Sequence, residues 1–523
     1  MSLSRRASQS RPSLSRRNLL TAGAAGALAA SSLAVPSARA ATRRGAKPVR
    51  DPFTLGVASG DPLPHGVVLW TRLAPEPLAA DGLGGMPDRS VPVQWQVAED
   101  EHFRRIVAEG VETAGTEGAH AVHAEANGLR PGADYFYRFR AAGELSPVGR
   151  TRTAPAPGTR VDRFAFAFAS CQNYPAGYYT AHRHLAEEDL DLVAFLGDYI
   201  YEGPAQGEIG RGHLPATETW SLADYRIRHA QHKTDADLRA AHAAFPWVPV
   251  FDDHEVENNW ADDDSDSGTD PEVFLLRRAR AFRSYYEHMP LRRSQRPVGP
   301  DVQMFRRLTF GHLLDLHVLD TRQYRSDQVE DVDRKDPSRT ILGSRQKEWL
   351  LGNLAGPTAQ WNVLAQQVFF SQRDFVTGAA TEFSNDAWDG YYVEREQVRD
   401  RLAAPATTNP VIITGDVHAS YVNDVKADFD DPSSATVATE LVGTSISSGG
   451  DGVENWPGDA TQYEENPHIR FINRRRGYVR NVVTPTEWTA ENRVVDYVTS
   501  PGAPVRTRAK WVVEDGRPGA RQA

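Results

Sequence analysis

The first part of the chain carries a short, alternating hydrophobic pattern. Between residues 53 and 153, runs such as "GVVLWTRL", "VPVQWQVAED" and "DYFYRFRAAG" alternate apolar with polar positions and are separated by glycine, proline and aspartate. Alternation with a period of two, interrupted by turn residues, is typical of the short strands of a β-sandwich. We therefore expect a small N-terminal β-sandwich domain over residues 53–153.

From Phe164 onward, longer apolar runs are separated by helix-like segments such as "YTAHRHLAEED" and "SRQKEWLLGNLA". Apolar runs of this length that alternate with amphipathic segments predict a layered α/β domain. We place this domain at residues 160–510, after a linker around "TAPAPGTR". The apolar runs are "FAFAFASC", "LDLVAFLGDYIY", "FPWVPVFDDHE", "LLDLHVLDTRQYR", "WNVLAQQVFF" and "NPVIITGDVHASY".

The N-terminus has the features of an export signal. Several arginines precede an apolar stretch, "SRRNLL" is a twin-arginine motif, and "PSARA" offers a cleavage site after Ala40. A membrane anchor is the alternative, but the stretch is short and rich in alanine and glycine, so we expect no stable anchor. We predict a twin-arginine signal peptide over residues 1–40 and a linker over 41–52. The export machinery is then a partner, and the mature protein is periplasmic or extracellular.

The net charge and the cysteine content limit the possible partners of the protein and the possible roles of its thiol. Removal of residues 1–40 takes away six arginines and no acidic residue, which changes the net charge from −10 to −16. Binding of nucleic acid by a basic face is therefore not expected. Cys171 is the only cysteine, so it cannot form a disulfide within the chain. It is a buried inert thiol, a reactive thiol or a metal ligand.

Polar residues end five of the apolar runs. In a layered α/β fold, residues just past several strand ends converge on the crevice where ligands bind. Taken alone, each aspartate could cap a helix or form a turn, and each tyrosine or histidine could be structural. Taken together, with a thiol beside them, they predict a metal site. These residues are Cys171; Asp198 and Tyr201; Asp252, Asp253 and His254; Asp320 and Arg322; Asp416 and His418.

The sequence lacks the motifs of several other classes of enzyme. Gly177 stands where a cysteine-dependent phosphatase loop has its arginine, and "GTSISSG" does not have the spacing of a nucleophile elbow. "DHEVEN" lacks the second histidine of a zinc-protease helix, and there is no P-loop.

Three motifs, "FLGDYIYE", "FDDHEVENNW" and "ITGDVHASY", resemble those of the PhoD-type alkaline phosphatases, relatives of the calcineurin-like metallophosphoesterases. The resemblance runs from "FTLGVASGDP" to "TEWTAENRVVDYVTSPGAP", essentially the whole mature chain. It implies an αββα metallophosphoesterase-like catalytic domain, fused to an N-terminal fibronectin-like β-sandwich. It also implies a site that holds Fe3+ and Ca2+.

The resemblance assigns roles to individual residues. Cys171 and Tyr201 would be iron ligands, and Asp198 would bridge metals. His254 matches the histidine that contacts phosphate, and we expect Arg322 to act in catalysis and Arg325 to bind substrate. "LDTRQYR" could equally form a strand-end network of salt bridges. The expected metal ligands are Cys171, Asp198, Tyr201, Asp253, Asn258, Asp416 and His418.

One departure from the wider superfamily bears on the metals. "ASC" replaces the usual D-x-H opening box, which disfavours a two-zinc or iron-zinc site. A thiolate and a phenolate on one metal suit iron, and carboxylate and amide oxygens suit calcium.

We therefore expect a secreted alkaline phosphatase that hydrolyses phosphate esters by attack of a metal-bound oxygen nucleophile and scavenges phosphate. The alternative on the same fold is a secreted phosphodiesterase of phospholipase D type, with Trp220, Trp260 and Trp388 as candidates to line a lipid-accepting mouth. A secreted, non-enzymatic protein stabilised by calcium is disfavoured because a structural calcium site has no use for a thiolate.

Overall fold

The computed structural model describes residues 51–523 apart from 206, 208, 329–332 and 357. The signal peptide predicted over 1–40 and nearly all of the predicted linker lie outside the described residues. Within the described part, every helix is too short or too polar to cross a bilayer.

The N-terminal part is built from strands, as the alternating pattern predicts. Three of them, β1, β2 and β5, pair in one layer, and β3, β4, β6, β7 and β8 form a second sheet. The strands are β1 Val57–Leu63, β2 Gly66–Arg72, β3 Val91–Ala98, β4 Ile106–Ala114, β5 Ala121–Asn127, β6 Asp134–Ala141, β7 Glu144–Leu145 and β8 Gly149–Arg152.

The remainder alternates strands and helices before it ends in an antiparallel run. The strands are β9 Phe164–Ala169, β10 Leu192–Leu196, β11 Pro246–Val250, β12 Arg306–Phe310, β13 Leu314–Val318, β14 Trp361–Ala365, β15 Pro410–Thr414, β16 Ser420–Lys426, β17 Thr436–Val442, β18 Ile469–Asn473, β19 Gly477–Val483, β20 Glu487–Val495, β21 Val505–Glu514 and β22 Arg517–Gln522. The helices are α1 Thr180–Ala186, α2 Leu222–Lys233, α3 Ala236–Ala244, α4 Pro271–His288, α5 Gly343–Ala355, α6 Tyr392–Ala403 and α7 Asp459–Glu465, and short 3-10 turns occupy Thr116–Gly118, Tyr174–Ala176, Arg293–Gln295 and Trp388–Tyr391.

Two large sheets stack face to face in this part. The first has the order β22-β21-β20-β19-β9-β10-β11-β1-β2-β5, and the second has the order β12-β13-β14-β15-β17-β16-β18. Every residue of β9, β10, β11, β13, β14 and β15 is buried, as expected for parallel strands covered on both faces. Aromatic contacts join the sheets: the Trp361 and Trp488 rings lie 5.8 Å apart, and those of Phe164 and Phe310 lie 4.3 Å apart.

Helices cover the outer faces and complete the predicted αββα layers. On the second sheet, Leu350 of α5 and Val398 of α6 share a hydrophobic cluster with Leu364 and Ile412 of the strands below. On the first sheet, α1 and α3 pack with the strands around Trp247.

The N-terminal sandwich is continuous with the αββα layers. β1 pairs in parallel with β11, so one layer of the sandwich extends the first large sheet. One hydrophobic cluster joins the two sandwich layers, with Val67 and Leu69 of β2 facing Val93 and Val97 of β3. The β-sandwich predicted from the sequence is present, and it is attached through backbone hydrogen bonds as well as side chains.

The buried side chain of Arg72 and the stacked rings of His288 and His229 link strand β2 to helices α4 and α2. Arg72 of β2 donates to Nε2 of His288 at 2.7 Å, while Nδ1 of His288 lies 2.7 Å from the carbonyl of Ser284. The ring is therefore neutral, with its proton on Nδ1. His288 stacks on His229 at 5.0 Å, and burial lowers the pKa of both, to about 3 for His229.

We expect His288 and His229 to make the fold sensitive to acid. Their folded pKa values lie below the unfolded value of about 6.5, so the unfolded chain binds more protons between these values. Stability is then complete above about pH 6.5 and falls as the pH drops toward 3. His288→Gln removes one of these groups and should reduce the slope of unfolding free energy against pH by up to about 1.4 kcal/mol per pH unit.

Urea unfolding at a series of pH values between 4 and 8 measures this slope. His102→Gln, which changes an exposed histidine, is the matched control and should keep the wild-type slope. A His288→Gln slope equal to that of the wild type would contradict the assignment.

Candidate metal centre

The carboxyl ends of the parallel strands of both sheets meet at the candidate site. An isolated parallel bridge joins Ser170, directly after β9, to Ser445, shortly after β17. Gly415, directly after β15, approaches so closely that a Cβ there would lie 2.7 Å from the Ser170 hydroxyl oxygen. The polar residues that follow these strands are thereby brought together, as the sequence predicts.

Four of the predicted ligands occupy left-handed backbone conformations at the strand ends. The φ angle is 59° at Cys171, 56° at Asp198, 63° at Asp416 and 53° at His418. Residues with a Cβ rarely adopt this region, which costs roughly 1–2 kcal/mol each. Such strain persists where the surrounding structure enforces it, and it is concentrated at functional sites. The four positions therefore share both a location and a conformation.

Cys171, Asp198 and His418 form a first donor group. Their sulfur, carboxylate oxygen and ring nitrogen atoms all lie within 4.8 Å of one another. The hydroxyl of Tyr201 belongs to the same group, because it donates to Oδ2 of Asp198 at 2.9 Å and lies 3.0 Å from Nε2 of His418. The structure thus gathers a thiol, a carboxylate, an imidazole and a phenol.

Asp198, Asp253 and His254 form a second donor group with the same spacing. The turn that presents Asp198 needs Gly197, whose φ is 101° and where a Cβ would lie 2.4 Å from the Cβ of Asp252. Asp198 belongs to both groups. A carboxylate in that position can bridge two neighbouring cations.

Unpartnered carboxylate oxygens indicate that the two groups suit cations. Within the described ranges, Oδ1 of Asp198, Oδ2 of Asp252 and Oδ1 of Asp253 are buried and receive no hydrogen bond. Burial raises the pKa of Asp198, Cys171 and Tyr201 well above their usual values, and the charge of Asp198 raises the last two further. A cation among these groups would offset the cost of burying several negative charges together.

His254, the third member of the second group, is held in place by a hydrogen bond to its ring. Its Nδ1 is 2.7 Å from Oε2 of Glu202, whose other oxygen accepts the backbone N–H of Asn258 at 2.8 Å. Burial opposes protonation, but Asp253, Glu202 and Asp198 together raise the pKa of His254 well above its usual value. The side chain remains 21% exposed, so it can meet a ligand from solvent.

Arg322 and Arg325 are placed differently from the roles predicted for them. Both side chains are 0% exposed. Arg322 donates to Oδ1 of Asp252 at 2.6 Å and to both carboxylate oxygens of Asp386 at 2.5 and 3.0 Å, and Arg325 donates to Asp386 at 2.8 Å. The geometry favours the alternative of a strand-end salt-bridge network, because both guanidinium groups are directed at carboxylates inside the protein.

The remaining predicted residues lie outside the two donor groups. The backbone carbonyl of Asp416 is 3.8 Å from the sulfur of Cys171, and burial with neighbouring carboxylates raises the pKa of Asp416 to about 7. The side-chain amide of Asn258 donates to Asp266, in the acidic segment 261–270, at 3.4 Å. Asp320 accepts backbone N–H groups of its own turn and takes no part in either donor group.

Glu255 is a candidate positioning residue that the sequence analysis did not identify. Its carboxylate is fully buried and accepts the backbone N–H groups of Tyr199 at 2.6 Å, Asp252 at 2.9 Å and Asp198 at 3.2 Å. It therefore ties the turn after β10 to the turn after β11. The signal was present in "FDDHEVENNW", where an acidic residue follows three polar ones, but two of its three partners are backbone N–H groups of the turn after β10.

Two of the three tryptophans proposed for a lipid-accepting mouth cannot line one, and the third is half-buried. Trp260 and Trp388 are fully buried in the core. Trp220 lies under the guanidinium of Arg277, 4.4 Å from its carbon.

Comparison with known proteins agrees with this arrangement. The family model described as PhoD-like phosphatase matches residues 166–492, and the model described as the N-terminal domain of PhoD-like phosphatase matches residues 38–155. The chain is 52% identical over 482 residues to alkaline phosphatase D of Bacillus subtilis (strain 168), which covers 90% of this chain and 82% of that protein.

Two solved structures resemble the chain. A structure of PhoD superposes with a TM-score of 0.88 at 52% identity and covers 90% of this chain and 92% of that one. A purple acid phosphatase from yellow lupin (Lupinus luteus) seeds superposes with a TM-score of 0.53 at 12% identity, covering 88% and 73% of the two chains. The second likeness concerns the fold alone, and it confirms the metallophosphoesterase-like layers.

We expect Glu255→Gln to weaken metal binding roughly ten- to hundred-fold, because the amide nitrogen cannot accept the backbone N–H groups that Glu255 holds. The metal retained after dialysis against a graded series of chelator concentrations measures the effect. Glu394→Gln is the matched control, since Glu394 is equally buried and accepts the backbone N–H of Leu342 instead. Equal metal retention in the two variants would contradict a positioning role for Glu255.

Proposed function

The chain belongs to the PhoD-like phosphatase family and is a hydrolase, and from this premise we propose that it is an exported, metal-dependent alkaline phosphatase. The proposal depends on Asp198, because its carboxylate belongs to both donor groups at the place where the two sheets meet. Many enzymes that hydrolyse phosphate esters bind the phosphoryl group with two adjacent cations.

We assign Fe3+ to the group that contains Cys171 and Tyr201, with Asp198 and His418 beside them. Thiolate and phenolate together suit a ferric ion, and both side chains are buried within reach of the same carboxylate. We assign Ca2+ to the oxygen-rich side of the centre, around Asp253, Asn258 and Asp416. The unpartnered oxygens of Asp198 and Asp253 support these assignments.

When bound, the metals supply positive charge for the non-bridging phosphoryl oxygens and activate a water molecule for attack at phosphorus. His254 is placed to stabilise the phosphoryl group or to donate a proton to the leaving oxygen, because its ring is partly exposed, is oriented by Glu202 and has a pKa that nearby carboxylates raise. Glu202 also fixes the backbone at Asn258, so the ring of His254 and a candidate metal ligand are positioned together.

Arg322 and Arg325 act by neutralising carboxylates inside the protein. Arg322 neutralises Asp252 and Asp386, and Arg325 also donates to Oδ1 of Asp386. Without them, several buried like charges would repel one another beside the metals. We therefore propose a positioning role for Arg322 and Arg325 in place of direct contact with the substrate.

The N-terminal sequence supports export by the twin-arginine pathway and action outside the cytoplasm. An exported phosphatase would release phosphate from esters that cannot enter the cell, which is phosphate scavenging. The acidic exterior does not prevent anionic substrates from binding, since bound cations set the local field at the site.

We expect His254→Ala to retain its metals and to lose about a hundred-fold or more in kcat on p-nitrophenyl phosphate, because it removes a proton donor and charge at the phosphoryl group. Steady-state kinetics and elemental analysis of the same sample separate the two effects. His184→Ala, outside the centre, should keep wild-type turnover. Full turnover in His254→Ala would remove His254 from the reaction.

The same assay compares p-nitrophenyl phosphate with bis-p-nitrophenyl phosphate, which share a leaving group. A higher kcat/KM on the monoester is expected for an alkaline phosphatase. A clear preference for the diester would favour the phosphodiesterase alternative.

A further inference from the structure

Arg373 is a buried arginine that forms no ion pair among the residues the structure describes. It lies in the segment that follows β14, and it is 9% exposed. The carbon of its guanidinium is 4.3 Å from the centre of the Phe369 ring, 4.8 Å from that of Phe375 and 5.6 Å from that of Tyr421. Three aromatic rings therefore surround one positive charge, and we call this arrangement the aromatic box.

The guanidinium of Arg373 has almost no polar partner. Within the described part of the chain, its one hydrogen bond is a long one, from Nη1 to the hydroxyl of Tyr421 at 3.5 Å, and Nε is buried without a partner. Arg322, by contrast, is paired with Asp252 and Asp386. Contacts with ring faces stabilise a cation only modestly, so a buried guanidinium without a counter-charge remains unfavourable. The aromatic box therefore suits a negative group that comes from outside the chain.

The buried acidic residues around Arg373 have other partners. Because each carboxylate is already held by another cation or by backbone N–H groups, none of them serves as the counter-charge of Arg373. These residues are Asp374, which accepts the N–H groups of Val376 and Glu382; Asp389, which pairs with Arg395 at 2.5 Å; Glu440, which accepts the N–H groups of Phe370 and Ser371; and Asp459, which pairs with Arg474 at 2.7 Å.

Arg373 lies at the end of the second sheet that carries the metal centre. β14 and β15 are parallel neighbours, and Arg373 follows β14 as Asp416 follows β15. Phe369 belongs to a hydrophobic cluster against which Val417 packs, and Val417 stands between Asp416 and His418. Burial raises the pKa of Asp416 and the charge of Arg373 opposes this rise, but the two side chains form no ion pair in the described ranges. The aromatic box is thus beside the centre and outside both donor groups.

We propose that Arg373 is a substrate-binding residue that holds a second anionic group, a carboxylate or a phosphoryl group, on the leaving alcohol of the phosphate ester. The planar guanidinium matches both kinds of anion. Phe375 is only half-buried, so this side of the aromatic box borders solvent. The inference rests on the proposed phosphatase function, and it names the class of ester that the same site prefers.

Two matched substrates reveal this preference. 3-Phosphoglycerate and glycerol 3-phosphate have leaving alcohols of similar size, and only the first carries a carboxylate. We expect the wild-type kcat/KM to be about ten-fold or more higher on 3-phosphoglycerate, because a hydrogen bond between two charged groups contributes at least this factor when it is shielded from water. Propane-1,3-diol bisphosphate compared with the monophosphate of the same diol tests a phosphoryl group as the second anion.

Arg373→Gln should lower the ratio of kcat/KM within each preferred pair roughly ten-fold, and it should leave kcat/KM on glycerol 3-phosphate within about two-fold of the wild type. Arg373→Lys keeps the charge and should retain most of the ratio. Because each ratio is measured on one sample, a fraction of unfolded variant does not change it. Arg138→Gln is the matched control, since Arg138 lies 4.0 Å over the ring of Phe103 and donates to the neutral Gln96, but belongs to the N-terminal sandwich. It should keep the wild-type ratio.

The outcomes separate this inference from the proposed function. A metal-loaded wild-type protein that hydrolyses none of these esters overturns the phosphatase function and the inference with it. An active wild type without a preference in either pair overturns the inference alone. So does a preference that survives in Arg373→Gln or is lost equally in Arg373→Lys. An equal loss of kcat/KM on both esters of each pair in Arg373→Gln also overturns it, because Arg373 would then act on the reaction and not on the second anion.

Discussion

The structure depends on burying several acidic groups at the point where two sheets meet. Asp198, Asp252 and Asp253 follow strands of the first sheet and are buried, and Asp416 follows a strand of the second sheet and is half-buried. Their mutual repulsion and desolvation must be offset by positive charge. Arg322 offsets part of it from within the protein, and the unpartnered oxygens leave the remainder to cations.

The same constraint explains the unusual backbone. The left-handed turns after β9, β10 and β15 are unfavourable in isolation, yet each is held by contacts from another strand. The backbone N–H of Cys171 donates to the carbonyl of Gly197, and Glu255 holds the turn that contains Asp198. Arg476 performs a comparable task for His418, since its guanidinium donates to the carbonyl of that residue. The metal centre is thus built by strand ends that restrain one another, and the sandwich extends the same sheet through β1 and β11.

Much of this arrangement could be predicted from the sequence, because parallel strands leave a strong pattern of apolar runs that end in polar residues. The convergence of Cys171, Asp198 and His418 follows from the rule that ligands bind at the carboxyl ends of such strands. The roles of Arg322 and Glu255 could not be predicted in this way, since both residues join segments that are more than fifty residues apart in the sequence. Asp386 lies in an irregular segment, and Glu255 contacts backbone atoms. The sequence also does not predict that the sandwich continues the first sheet, because the pairing of β1 with β11 leaves no pattern in the residues of either strand.

The central claim is that Cys171, Tyr201 and Asp198 hold iron beside calcium. Elemental mass spectrometry of the natively exported protein, compared with a Cys171→Ala variant purified in parallel, tests it most directly. The account predicts iron in a fixed ratio to the wild-type chain together with calcium, and a large loss of iron with retained calcium in the variant. Zinc or manganese in place of iron, or equal iron in the two proteins, would contradict the account.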